Sequence, residues 1–171
     1  MIRFMVLSAP RSASTWMANW LTTDRTLCLH DPVLEYKPEA LDDIPCERAL
    51  GIACTALPLL PHVVNAHGAR KLIIHRDLLE VNRSLVSIGL SPLGWRWKGA
   101  LDTLLGMHVQ YQDLFDPFTA ELIWKHLTDL PFDAERHRLL CDMHVEPQFE
   151  KVKVKPERAR EFRQRIERAF V

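Results

Sequence analysis

Glycine is scarce in this chain, and its absence from one loop limits the functions that the sequence allows. Six glycines occur among 171 residues, and none lies in the polar segment 8–17 that follows the first apolar run. The phosphate loop of common ATPases and GTPases needs glycines and a Gly-Lys-Ser/Thr step. The segment has neither, so the sequence disfavours an ordinary ATPase or GTPase.

Paired cysteines and long apolar runs are also lacking. The four cysteines (Cys28, Cys46, Cys54 and Cys141) are scattered without a C-x-x-C pair, so neither a zinc site nor a disulfide framework is indicated. No stretch approaches the roughly 20 apolar residues of a membrane span, and the first apolar segment is too short for a signal peptide. We therefore expect a cytoplasmic protein with reduced thiols and without a bound metal or a membrane partner.

Net charge is zero, with 22 basic and 22 acidic residues, but the charges are unevenly distributed. Segment 151–168 carries eight Lys and Arg against three Glu. Apolar residues recur at helical spacing after Pro156, which predicts an amphipathic helix over about 156–170 with a solvated basic face. An anion-binding role for this face is the alternative, and nucleic acid is not expected as a partner.

Apolar runs alternate with helical patterns along the chain. Such alternation favours a parallel sheet with helices on both sides. We predict one domain over residues 1–171, an α/β fold built as a three-layer α/β/α sandwich with a central parallel sheet. The predicted strands cover 2–7, 26–30, 49–54, 71–75 and 107–111, and helices are predicted from 14 or 15, from 58 to about 68, from 77 to 88, over 98–106, and from 116 to about 130.

The polar segment after the first strand has the composition of an anion-binding loop. It supplies one cation, Arg11, and three hydroxyls, from Ser12, Ser14 and Thr15. A helix that starts at Ser14 or Thr15 adds free N–H groups and a partial positive charge. The planar guanidinium of an arginine suits a phosphate-like group. The alternative is an ordinary helix cap beside a surface arginine.

Three segments resemble the sulfotransferases that use 3′-phosphoadenosine 5′-phosphosulfate (PAPS). Ala9-Pro10-Arg11-Ser12-Ala13-Ser14-Thr15-Trp16 is similar to their 5′-phosphosulfate loop. Arg76 ends the clearest predicted strand, and Ser84 follows eight positions later, as at their 3′-phosphate site. The segment 109–114 is similar to their Tyr-Glu-Asp-Leu segment. These matches cover roughly the first 130 residues in the family's order.

The resemblance implies a P-loop NTPase-like sulfotransferase fold and assigns roles to individual residues. Arg76 and Ser84 would hold the 3′-phosphate, and Trp16 would stack on the adenine, although packing against Trp20 is its alternative role. The residues implied for the 5′-phosphosulfate are Arg11, Ser12, Ala13, Ser14 and Thr15.

The chain also departs from the family's pattern. Ala13 stands where a glycine is usual, so the loop turns without the freedom that glycine has at positive φ. The family's late glycine-rich segment has no counterpart, because Gly106 is the last glycine. The stretch 54–58 lacks the Lys and His that many members carry there.

A general base is therefore sought after the second strand, where His30 and Asp31 adjoin and Glu35 follows. We take His30 and Asp31, together with Arg11, as the catalytic candidates. For Asp31 the alternative is a turn-forming Asp-Pro step.

The resemblance implies transfer of a sulfuryl group from PAPS, as co-substrate and without a metal, to a hydroxyl or amine. The acceptor would be a small molecule or a glycan, and the sequence leaves its identity and the oligomeric state open. A sulfotransferase-like binding module without catalytic activity is the first alternative. A small nucleotide kinase is the second, and the missing Gly-Lys-Ser/Thr step disfavours it.

Overall fold

The computed structural model describes residues 1–143 and shows an α/β protein with a central parallel sheet. The strands are β1 (Ile2–Ser8), β2 (Thr26–His30), β3 (Ala49–Cys54), β4 (Arg70–His75) and β5 (Met107–Gln110). The α-helices are α1 (Ser14–Trp20), α2 (Pro61–Ala66), α3 (Leu78–Ser87), α4 (Arg96–Asp102), α5 (Pro117–Thr128) and α6 (Ala134–Asp142). Short 3₁₀ segments cover Pro32–Leu34, Pro38–Asp43, Leu57–Leu59 and Tyr111–Phe115. The predicted basic helix over 156–170 lies outside the described residues.

The sheet has five strands in the order β2-β3-β1-β4-β5, and every neighbouring pair is parallel. The prediction of a parallel α/β sheet is therefore confirmed. β1 lies at the centre, between β3 and β4. Because all strands run the same way, the loops that follow β1, β2 and β4 emerge at one edge of the sheet, where ligands of open parallel sheets bind.

Alternate residues of β1 enter two different hydrophobic clusters, as the pleat of a strand requires. Met5 and Leu7 belong to a cluster that contains residues of α2, α3 and α4. Phe4 and Val6 belong to a second cluster with residues of α1 and α5. Tryptophans contact one another in this second cluster, and the Trp20 ring centroid lies 5.3 Å from that of Trp124.

Several predicted helix boundaries are wrong for local reasons. The helix predicted from residue 58 to about 68 is split into the 3₁₀ segment Leu57–Leu59 and α2. Pro61 explains the break, since a proline disfavours helical backbone at the preceding residue, and Leu60 has φ −123° and ψ 60°. The helix predicted over 98–106 is α4, which begins and ends earlier.

The predicted apolar face of α5 is only partly correct. Ile123 and Leu127 are buried, but Leu122 is 44% exposed, and Trp124 takes the interior position instead. Helix α6 was not expected from the sequence. Asp133 is the local signal for it, because its carboxylate caps the helix by accepting a hydrogen bond of 2.9 Å from the Arg136 amide.

No helix within residues 1–143 combines the length and the apolar character that crossing a membrane requires. The cysteines are free thiols. Cys28 and Cys54 are buried, and this burial raises the pKa of both thiols well above its usual range.

Gly51 provides a test of the packing in the sheet. A methyl group at this position would lie 1.9 Å from the ring of Phe4, which is itself completely buried. We expect Gly51→Ala to lower the free energy of unfolding by about 1–3 kcal/mol, because the ring has no free space to enter. Urea denaturation measures this change.

Gly99→Ala is the matched control, since it adds the same methyl group. Gly99 lies within α4, and nothing is within 4 Å of the added Cβ. Alanine is the better helix former, so this variant should gain about 0.5–1 kcal/mol. Equal effects of the two substitutions would contradict the packing described here.

Candidate functional site

One cavity at the carboxyl edge of the sheet collects nearly all the residues singled out in the sequence. Its volume is about 530 Å³, within the range of small-molecule sites. The loop after β1, the end of β2, the loop after β4 and the middle of α3 all contribute to its lining. The predicted residues in this main cavity are Arg11, Ala13, Ser14, Thr15, Trp16, His30, Asp31, Arg76 and Ser84.

The loop after β1 makes its turn with two non-glycine residues in the left-handed region. Arg11 has φ 62° and Ala13 has φ 67°. Each such residue costs roughly 1–2 kcal/mol, because its Cβ crowds the following carbonyl oxygen. Ala13 is also the residue that precedes α1, and no side chain caps the helix there. The alternative of an ordinary Ser or Thr cap is therefore wrong.

The hydroxyls of this loop point in different directions. The Ser12 side chain is completely buried, does not line the cavity, and lies 3.5 Å from the carbonyl oxygen of Pro10. Ser14 and Thr15 line the cavity. α1 has only seven residues, so its dipole contributes less than that of a long helix.

Arg11 and Ser84 meet although 73 residues separate them in the sequence. Nε of Arg11 donates a hydrogen bond of 2.9 Å to the Ser84 hydroxyl. Ser84 lies on α3, which Asp77 caps by accepting hydrogen bonds from the amides of Leu79 and Glu80. This bond brings the loop after β1 against the helix that follows β4.

Arg76 is held from three sides. Its Nη1 donates to the main-chain carbonyl of Arg11, and its Nε pairs with Glu80 at 3.3 Å. The guanidinium carbon lies 4.2 Å from the centroid of the Tyr111 ring, in cation–π contact. These contacts fix the guanidinium plane before any ligand arrives, and they place two arginines on one cavity wall.

His30 and Asp31 lie at the end of β2, opposite the same loop. Nε2 of His30 is 3.1 Å from the Ser14 hydroxyl, 3.2 Å from that of Thr15, and 3.4 Å from Oδ2 of Asp31. Nε2 is therefore the ring nitrogen that faces both hydroxyls and the Asp31 carboxylate. Glu35, the third carboxylate considered, ends the 3₁₀ segment Pro32–Leu34 and does not line the main cavity.

Asp31 is anchored by Thr55, a residue with no functional signal in the sequence. Its Oδ1 accepts hydrogen bonds of 2.6 Å from the Thr55 amide and 3.0 Å from the Thr55 hydroxyl. The carboxylate lies next to Cys54, where its charge adds to burial in raising the pKa of that thiol. The register of β2 and β3 produces this contact, because both strands end at the same level.

Trp16 mainly packs against other side chains of the protein interior. It is 6% exposed, and its ring centroid is 5.1 Å from that of Trp20. Its indole N–H donates a 2.9 Å hydrogen bond to the carbonyl of Leu140. The remaining exposed edge of the ring contributes to the cavity wall.

Comparisons with known proteins add nothing to this geometry: neither a scan of protein-family models nor a search of curated proteins finds a match. Among the residues that the structure describes, no group of three His, Cys, Asp or Glu is placed to hold a metal ion.

The strained loop leads to a direct prediction. Ala13→Gly should raise the free energy of unfolding by about 1 kcal/mol, because glycine adopts positive φ without the Cβ clash. Thermal or urea denaturation measures the change.

Ala100→Gly is the control for this loop prediction. Ala100 lies inside α4, where the same chemical change should destabilise the protein by about 1 kcal/mol or more. A loss of stability in Ala13→Gly would show that the loop is not strained in the way described.

Proposed function

We propose that this protein binds PAPS and transfers its sulfuryl group to a hydroxyl or amine of a small-molecule or glycan acceptor. The observation that carries the proposal is the contact between Arg11 and Ser84 at one cavity wall. These residues belong to two separate segments that resemble the 5′-phosphosulfate and 3′-phosphate sites of sulfotransferases, and a shared cavity is what one doubly phosphorylated ligand requires.

The charges of this wall support an anionic ligand. Arg11 and Arg76 present planar guanidinium groups, which bind phosphate or sulfate oxygens through paired N–H donors. Ser14 and Thr15 add hydroxyl donors at the loop, and Ser84 adds one on α3. In the proposal, Arg11 and the loop hold the 5′-phosphosulfate, while Arg76 and Ser84 hold the 3′-phosphate.

The sheet supports the three-layer, P-loop-like fold that this proposal includes. Two hydrophobic clusters receive alternate residues of β1, as a three-layer α/β/α sandwich demands. The loop after the central strand β1 is also where a P-loop-like protein holds its phosphates. The site residues after β2 and β4 lie on either side of it, at the same edge of the sheet.

The geometry at the end of β2 separates the proposed roles of His30 and Asp31. Asp31 is anchored by Thr55, and its Oδ2 lies 3.4 Å from Nε2 of His30, so it would stabilise the positive charge that the ring acquires on taking up a proton. His30 would take the proton from the acceptor at Nε2. A bond then forms between sulfur and the acceptor oxygen or nitrogen, and the bond between sulfur and the bridging oxygen breaks. The electron pair leaves on the 5′-phosphate of 3′-phosphoadenosine 5′-phosphate (PAP), where Arg11 stabilises the charge.

Nucleotide binding is tested by calorimetric titration with PAP, with ATP as the comparison ligand. Wild-type protein should bind PAP in preference to ATP. Arg11→Ala should weaken PAP binding about 100-fold, because about 3 kcal/mol of charge-assisted hydrogen bonding is lost. Wild-type affinity in that variant would remove the central role of Arg11.

Arg83→Ala is the matched control for that titration. Arg83 is exposed on the same helix as Ser84 and does not line the main cavity. Its removal takes away the same charge and should leave PAP affinity nearly unchanged. Equal losses in both variants would point to general charge attraction instead of a built site.

Transfer of radiolabelled sulfate to a panel of hydroxyl and amine acceptors tests the chemistry. His30→Gln should reduce kcat by about 100-fold or more while PAP affinity is retained, since only the proton transfer is lost. Undiminished transfer by this variant would contradict its role as base. Tight PAP binding by wild-type protein with no product from any acceptor would instead support the binding module without catalysis.

A further inference from the structure

A second cavity, of about 740 Å³, contains a histidine pair that the proposed function does not use. His75 ends β4, and His108 lies in the neighbouring strand β5. The two rings lie side by side, with centroids 5.1 Å apart and planes 19° apart. Nε2 of His75 and Nδ1 of His108 are 2.8 Å apart, which is a hydrogen bond.

The protonation pattern of the pair follows from one backbone contact. Nε2 of His108 is 2.9 Å from the carbonyl oxygen of Leu104. A carbonyl only accepts, so this nitrogen carries the hydrogen. A neutral His108 then has a lone pair on Nδ1, which accepts the hydrogen bond from Nε2–H of His75. The neutral pair is thereby hydrogen-bonded with one defined tautomer for each ring.

Added protons act on this pair in two steps. Within residues 1–143, the ring nitrogen of the pair without a hydrogen bond is Nδ1 of His75, which faces Oδ1 of Asp102 at 3.7 Å. A first proton enters there and leaves the bond between the rings intact. A second proton must go to Nδ1 of His108, where it turns two N–H groups and two positive charges towards each other. The doubly protonated pair cannot keep its bond.

The surroundings oppose proton uptake by His75. Its side chain is 18% exposed, and burial is the main cause that lowers its pKa below the ordinary value of about 6.5. The charges of His108 and Lys98 lower it further, and Asp102 acts in the opposite direction. The other charged groups that line this cavity are Arg76 and Asp77 after β4 and Asp113 after β5.

The sign of the resulting pH dependence is fixed. The unfolded chain takes up the His75 proton at a higher pH than the folded protein does. The contribution of His75 to stability is therefore fully present above pH 6.5 and is lost as the pH falls through the lower pKa that His75 has in the folded protein.

The pair is connected through the chain to Arg76 of the main cavity. Arg76 follows His75 at the end of β4, and Tyr111 follows β5, the strand that carries His108. Arg76 and Tyr111 form the cation–π contact already described. The bond between the two histidines therefore joins the strand ends that carry both members of that contact.

We propose that the His75–His108 pair is an acid-sensitive latch: its hydrogen bond adds to the backbone pairing of β4 with β5 when the rings are neutral, and its loss on protonation of both rings loosens the strand ends that carry Arg76 and Tyr111. The effect on ligand binding rests on the proposed function. The latch itself does not, because it concerns the protein without a ligand.

Urea denaturation between pH 8 and pH 5 tests the latch. The unfolding midpoint of wild-type protein should fall further over this range than that of His75→Asn, which has no ring to protonate. His62→Gln, at an exposed position on α2, should follow the wild type. If His75→Asn fails to fold, His108→Gln replaces it. Identical pH dependence in the wild type and the latch variant would overturn the proposal.

Nitrogen NMR of the histidine rings gives a readout that a merely structural role would not change. At pH 8, His75 and His108 should both carry their hydrogen on Nε2, and His75 should titrate below the ordinary histidine range. A Nδ1–H tautomer at His108, or ordinary titration of His75, would overturn the latch.

PAP titration at pH 8 and pH 5.5 tests the coupling to the main cavity. Wild-type protein should lose more affinity at pH 5.5 than His75→Asn does, whereas equal losses would overturn the coupling. Absence of PAP binding at pH 8 would refute the proposed function, and the latch would still be decided by unfolding and NMR.

Discussion

The site depends on one pair of hydrogen bonds at Arg11, whose Nε donates to the Ser84 hydroxyl and whose carbonyl accepts from Arg76. This pair joins the loop after the central strand to the elements that follow β4. Without it, the cavity would have two separate polar walls. With it, both guanidinium groups are fixed at one edge of a parallel sheet, where backbone and side-chain donors already converge.

This arrangement has an energetic cost that the rest of the fold offsets. Arg11 and Ala13 adopt left-handed backbone, at roughly 1–2 kcal/mol each. The compensation comes from the interior, where Trp16 and Trp20 of α1 pack in one cluster with Trp124 of α5. Strain of this kind persists only where the surroundings determine the conformation, and such places are often functional.

Most of the secondary structure could be predicted from the sequence, because the strands are compact apolar runs and Asp77 and Asp116 are clear helix caps. The prediction failed where tertiary contacts or a neighbouring proline decide the outcome. Leu122 fits the helical spacing but faces outward, and Pro61 divides a pattern that reads as one helix. Helix α6 was missed because its sequence is highly charged. Packing against the core and the Asp133 cap stabilise this helix.

The residues of the candidate site were likewise predictable only in part. Side-chain types indicated the loop residues Arg11, Ser14 and Thr15, because an anion needs cations and hydroxyls, whereas Arg76 and Ser84 were implied by the resemblance to sulfotransferases. Their partners were not readable from the sequence: Thr55 meets Asp31 only through strand register, and Ser12 turns inward because of the loop's backbone. The most direct test of the account is a crystal structure with PAP bound. The account predicts the 5′-phosphate at Arg11 and the 3′-phosphate at Arg76 and Ser84 in one cavity; PAP bound elsewhere, or contacting only one of these groups, would contradict it.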